Sequence, residues 1–84
     1  MVLAKIHVTL KKSVLDPQGV AVSEALRAME FKNVESVRLG KYLEVRLDDK
    51  GKTHERIKAE VEQMCRKLLA NLVIESYEFT LEEA

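Results

Sequence analysis

The stretch SVLDPQGVAV, residues 13–22, marks the point where the hydrophobic period of the chain changes from two to about 3.6. Upstream of it, residues 2–11 alternate: Ala4, Ile6, Val8 and Leu10 fall on one face and Lys5, His7, Thr9 and Lys11 on the other. This is the pattern of a half-buried strand. Downstream, Val22, Leu26 and Met29 recur at i, i+4, i+7 with Ala21, Ala25 and Ala28 beside them. That spacing predicts an amphipathic helix whose small alanines let it sit close to a sheet. Asp16-Pro17 supplies the start. An aspartate suits the N-cap, and proline suits the first helical position, where its missing N–H is not needed.

The rest of the chain repeats the theme. Residues 34–48, VESVRLGKYLEVRLD, read as two strands around Gly40-Lys41. Val37 and Leu39 are the apolar set before the glycine, and Leu43, Val45 and Leu47 the set after it. A two-residue turn at 40 and 41 would put these sets on opposite faces. The reading therefore expects an odd loop or a bulge, with Gly40 supplying positive φ. Asp48–Thr53 (DDKGKT) is a turn, and residues 54–70 are a second helix with Ile57, Val61, Met64, Cys65 and Leu68 inward. Asn71 is a turn or capping residue. Residues 72–81, LVIESYEFTL, form a closing strand with Val73, Tyr77, Phe79 and Leu81 on one face. The order β-α-β-β-α-β predicts an α+β, ferredoxin-like fold, a four-stranded antiparallel sheet with two helices on one face. Residues 1–84 read as a single domain.

Composition narrows the function. Hydrophobic residues make up 46% and charged residues 33%, and fourteen basic side chains balance fourteen acidic ones. The balance gives no electrostatic footprint for nucleic acid or anionic lipid. No apolar run approaches the roughly 20 residues of a membrane-spanning helix. Cys65 is the only cysteine, so an intrachain disulfide is excluded. With no secretory leader in MVLAKIHV, a cytoplasmic protein is expected.

Each motif that hints at chemistry has a plainer explanation. Gly51-Lys52-Thr53 sits between a strand and a helix, as a phosphate-binding loop does, yet Arg46 stands where the motif needs its first glycine. A surface turn is the better reading. His7 and His54 have no metal-ligand neighbours at suitable spacing and read as surface or interface residues. Cys65 lies on an apolar stripe, where a small buried hydrophobe is expected. RNA recognition by such a sheet uses exposed aromatics on central strands. The open face here offers Lys5, His7, Thr9, Arg38, Glu44, Arg46 and Glu78, with Ile74 its one apolar member. Edge Tyr42 does not replace the missing aromatics. Neither cofactor-binding nor catalytic residues emerge. A domain this small with open sheet edges is instead expected to form a symmetric dimer or tetramer through residues 34–47 or the open sheet face.

Three stretches together resemble the PurS family of phosphoribosylformylglycinamidine synthase subunits: VTLKKSVLDPQGVAVSEAL (8–26), VESVRLGKYLEVRL (34–47) and MCRKLLANLVIESYEF (64–79). The resemblance spans nearly the whole chain, with residues 48–56 the least family-like part. It implies a small non-catalytic subunit of an ATP-consuming, glutamine-dependent carbon–nitrogen ligase of purine biosynthesis. Its implied partners are a glutaminase subunit and a large synthetase subunit, and it would help ammonia pass between them. ATP, Mg and glutamine would serve the assembled enzyme, with no cofactor on this chain. In this light Asp16, Pro17, Gln18 and Gly19 are candidate partner-contact residues as well as a cap. Arg38, Gly40, Lys41, Tyr42 and Glu44 are candidates for an oligomer or partner interface. The alternative is a ferredoxin-like small-molecule-sensing module, which would want a glycine-rich loop where Ser13–Gly19 has a single glycine.

Overall fold

The alternation and the helical spacing resolve into β1 (Val2–Leu10), α1 (Pro17–Ala28), β2 (Gly40–Leu47), α2 (His54–Met64), a π-helical turn (Cys65–Leu69) and β3 (Glu75–Glu83). They are seen in a computed structural model that describes residues 1–83. The sheet is antiparallel with order β2-β1-β3. Strand β1 is central, pairing Ile6 with Leu43 on one side and with Phe79 on the other. The inner face carries Ala4, Ile6 and Val8, all fully buried, flanked by Leu43, Val45, Leu47, Tyr77, Phe79 and Leu81. Helix α2 closes this face with Ile57, Val61 and Cys65.

Three strands form where four were expected. Residues 34–39 are not a strand; the end of the segment is tied to the β1–α1 connection instead. The Leu39 N–H donates to the Asp16 carboxylate, and the Arg38 guanidinium donates to carbonyls of the β1–α1 connection. The segment therefore runs back along α1, and no hairpin turns at Gly40. The parity conflict between Val37/Leu39 and Leu43/Val45/Leu47 vanishes with the hairpin.

Gly40 is accordingly not a positive-φ bulge; Gly51 alone among the glycines has that conformation, at φ 65°. Gly40 is demanded by crowding instead. A Cβ there would lie 2.5 Å from the Val8 carbonyl oxygen and 2.9 Å from Thr9 Cγ2. The left-handed residue is Glu30, at φ 79°. It ends α1 in a Schellman arrangement: the Phe31 N–H donates to the Leu26 carbonyl and the Glu30 N–H to that of Arg27.

The two helices do not share one face of the sheet. Helix α1 buries Gly19 and Ser23 against its own return segment rather than against a strand. The molecule measures 54 × 27 × 14 Å with a radius of gyration of 16.6 Å. A close-packed domain of this length would have about 12 Å. Residues 11–39 are thus an arm beside a thin sheet.

At the far end of α2, the wider π turn retards the helical register by one residue. Leu69, rather than the expected Leu68, packs on the core, and Leu68 is 83% exposed. The last strand also starts later than its spacing predicts. The Asn71 side chain accepts from the Val73 N–H, and its carbonyl accepts from Ile74 and Glu75. These bonds turn residues 72–74 aside, leaving Val73 exposed and Ile74 off the sheet face.

Two substitutions test this reading. Gly40→Ala is expected to destabilise by about 1–3 kcal/mol through overpacking, and Glu30→Gly to stabilise by about 1 kcal/mol by relieving the left-handed backbone. Urea midpoints of the two variants measure both. A neutral Gly40→Ala would contradict the crowding, and a destabilised Glu30→Gly the helix-end assignment.

Candidate functional site

The candidate residues fall into two groups. The first is the junction where the arm leaves the sheet. Asp16, only 3% exposed, caps α1. Its Oδ1 accepts from the Gly19 N–H at 2.9 Å, and its Oδ2 accepts from the Leu39 N–H at 2.7 Å. Arg38 Nη2 donates to the carbonyls of Lys11 at 2.7 Å, Val14 at 3.0 Å and Leu10 at 3.4 Å. Two residues of opposite charge thus tie the β1–α1 loop to the end of the return segment. Gly19 completes the joint: a Cβ there would collide with the Val37 carbonyl oxygen. Its backbone is stoppered and offers no cradle to a small ligand. Pro17 and Gln18 remain on the surface. Arg38, expected on the open sheet face, lies off the sheet because of these bonds.

The carboxyl of Asp16 is held below its ordinary range, first by the Leu39 N–H, then by the Gly19 N–H, with Arg38 assisting against desolvation.

The second group lies on β2, an edge strand. Lys5 faces Glu44 across the sheet and pairs with Glu82 at 3.0 Å. His7 faces Tyr42 and Glu78. The rings of His7 and Tyr42 lie 4.8 Å apart, and the Tyr42 hydroxyl donates to Glu44 at 2.9 Å. Partial burial and that contact push the Tyr42 hydroxyl up. Lys41 belongs to the other face, opposite Val8, and pairs with Glu75 at 3.6 Å. Gly40 joins the two groups, following Leu39 directly.

The remaining motifs are structurally accounted for. Lys52 Nζ meets Glu60 at 2.9 Å, and Thr53 Oγ1 caps α2 by accepting from the Arg56 N–H. Burial pushes the Cys65 thiol up, away from the thiolate that nucleophilic work needs. Among the described residues no cluster of His, Cys, Asp and Glu could hold a metal ion, and no helix is long and apolar enough to cross a membrane.

Sequence reasoning missed the apolar surface of the arm. Ala21, Val22, Ala25, Ala28 and Met29 form one face of α1 and are all exposed, Met29 by 66%. The signal is the Val22/Met29 spacing, which by itself predicts packing on the chain's own sheet. A groove of about 660 Å³ runs between β2 and α2, with Val45 on one wall and Ala59, Gln63 and Met64 on the other.

Fold and site together define a small α+β interaction module, a thin sheet with an arm held out by a buried carboxylate. Comparison with known proteins makes the assignment particular. The family model "PurS: Phosphoribosylformylglycinamidine (FGAM) synthase" matches residues 3–83. The chain is similar to the synthase subunit PurS of Bacillus subtilis, 47% identical over 83 residues that cover 99% of this chain and 95% of the relative. Its likeness to the Methanocaldococcus jannaschii subunit is 41%, covering 99% of this chain and 98% of that one. The solved Bacillus subtilis PurS structure superposes with a TM-score of 0.86, covering 99% of this chain and all of that one. A chain in the structure of PurLQS from Thermotoga maritima does so at 0.77, with 29% identity, 98% of this chain and 99% of that one. The chain belongs to the PurS family of phosphoribosylformylglycinamidine synthase subunits, proteins of purine biosynthesis.

The junction makes a pH-dependent prediction. A carboxyl whose folded pKa is depressed stabilises the fold above the unfolded value of about 3.9 and loses that contribution as pH falls through the lower folded value. Asp16→Asn keeps one acceptor oxygen of the two. It is expected to melt roughly 5–10 °C below the parent at pH 7, with the gap closing as pH drops below about 4. Thermal melts at both pH values check this; a gap independent of pH contradicts it.

Proposed function

We propose that this chain is the small non-catalytic subunit that joins a glutaminase subunit to an ATP-dependent synthetase subunit in phosphoribosylformylglycinamidine synthase. In the assembled enzyme, formylglycinamide ribonucleotide becomes formylglycinamidine ribonucleotide with ammonia released from glutamine. This chain helps that ammonia pass between the two centres without escaping to solvent. The observation that carries the reading is the end-to-end match to a chain in the PurLQS structure from Thermotoga maritima. ATP, Mg and glutamine belong to the partner subunits. The enzyme works in the cytoplasm, with the small subunit as a homo-oligomer.

The geometry supports such a role. Asp16 and Arg38 spend their charge inside the chain, so the joint is rigid while Pro17 and Gln18 stay available for contact. Preorganised surface of this kind lowers the ordering entropy lost on assembly. Tyr42, held by His7 and Glu44, presents an aromatic edge on β2, the type of residue that anchors interfaces.

Reconstitution with the glutaminase and synthetase from the same genome tests the proposal. The three chains are expected to co-elute in the presence of glutamine and Mg-ADP. Omitting this chain is expected to abolish glutamine-dependent activity while ammonia-dependent activity persists. Glutamine-dependent activity that is unchanged without the chain would overturn the reading.

A further inference from the structure

The arm and the sheet share a neck and little else. Among the described residues, no hydrogen bond or ion pair joins residues 12–37 to β1, β2, α2 or β3, and none of them belongs to the hydrophobic core. Among the described residues of that segment only Asp16, Gly19 and Ser23 are buried, and none of the three brings a large apolar side chain. Helix α1 has 12 residues, about the length at which an isolated helix is marginal in water. Its order therefore depends on how its ends are held. The C-terminal end is closed inside the arm, where Glu30 and Phe31 donate to Arg27 and Leu26. The N-terminal end is closed by Asp16, whose other oxygen holds Leu39, 23 residues further along the chain. Arg38 gathers the carbonyls of Leu10, Lys11 and Val14 beside it. The Lys11 N–H donates to the Ile74 carbonyl at 2.8 Å and fixes the root of the arm to the start of β3. Every fastening between arm and sheet lies at this neck.

We infer that residues 12–39 open and close as one cooperative unit, latched by Asp16 and Arg38, while the sheet and α2 stay folded. One carboxylate serves both sides of the neck, and this couples them. When the Leu39 N–H leaves Asp16, the return segment is no longer held with its Val37 carbonyl over Gly19, and the cap is opened to water. When the Gly19 N–H leaves Asp16, α1 loses the bond that starts it. Each loss promotes the other, so half-open states are less stable than the latched or the released arm. Release returns the conformational entropy of a long segment and exposes little apolar surface, which places the arm at the low end of the molecule's stability. The sheet loses nothing by it, because its ladders and its core lie outside the arm. The arm is thus a strap of fixed shape while latched, and one that lets go as a whole.

Native-state amide exchange on the full chain tests this, at one protein concentration so that any association is common to every sample. In the parent, the amides of Leu39 and of Ser23 to Ala28 are expected to share one opening with a common dependence on low urea. They are expected to exchange at least about tenfold faster than those of Ile6 and Val8. Asp16→Ala is expected to speed the arm amides together by at least about tenfold and to leave Ile6 and Val8 within about twofold. Arg38→Ala, which keeps the cap, is expected to move the arm amides the same way. Val61→Ala, at a fully buried position of α2, is expected to do the reverse, speeding Ile6 and Val8 and leaving the arm unchanged. Arm and strand amides that respond alike to Val61→Ala would show a single cooperative fold and overturn the inference. So would an Asp16→Ala chain in which Ile6 and Val8 lose their protection, or one in which the arm amides do not change. Amides of α1 that open one by one in the parent, without a shared urea dependence, would overturn it as well.

Discussion

One buried carboxylate holds the architecture together. Asp16 accepts from the N–H of Gly19 with one oxygen and from the N–H of Leu39 with the other. The first bond starts a helix; the second fixes where the chain goes after that helix ends. Without the second, residues 34–39 would be free to pair with β2, and the sheet would have the fourth strand its apolar pattern suggests. Arg38 reinforces the choice by satisfying carbonyls of the β1–α1 loop that no strand or helix reaches. Charge-assisted bonds to backbone are among the stronger hydrogen bonds of a protein, and here they decide a topology.

The consequence is a protein whose hydrophobic core is incomplete within one chain. Its inner sheet face is closed by α2 and the π turn, while α1 carries a second apolar face away from it. A chain of 84 residues buries only roughly 60% of the surface its unfolded chain exposes, so a helix whose apolar face stands off the core leaves little stability to spare. For a family of accessory subunits this is coherent. A subunit of a larger assembly gains from surface that is held rigid yet left open for contact.

Much of this was legible in the letters. The alternation of residues 2–11 fixed β1 and its buried face, Asp16-Pro17 announced the helix start, and the Ile57/Val61/Cys65 stripe identified the inner face of α2. The likeness to the PurS family was readable in the chain itself. The misreadings share one cause: periodicity reports that a face is apolar, never what covers it. The Val22/Met29 stripe suits the chain's own sheet and Val37/Leu39 suits a hairpin, and neither pattern distinguishes those partners from the ones the structure shows. Gly40 shows a related limit. A glycine demanded by crowding from the Val8 carbonyl looks the same in sequence as one demanded by positive φ. The π turn at Cys65–Leu69 left no signal at all, since its letters are those of any helix end.

The account stands or falls on the Asp16 joint, and amide hydrogen exchange measures it directly. Gly19 and Leu39 lie outside the sheet, and Leu39 has no strand partner. If the carboxylate holds both, their amides exchange orders of magnitude more slowly than those of the exposed return-segment residues Glu35 and Ser36, and Asp16→Ala releases both together. Leu39 exchanging at the rate of an unprotected peptide in the parent protein would contradict the account.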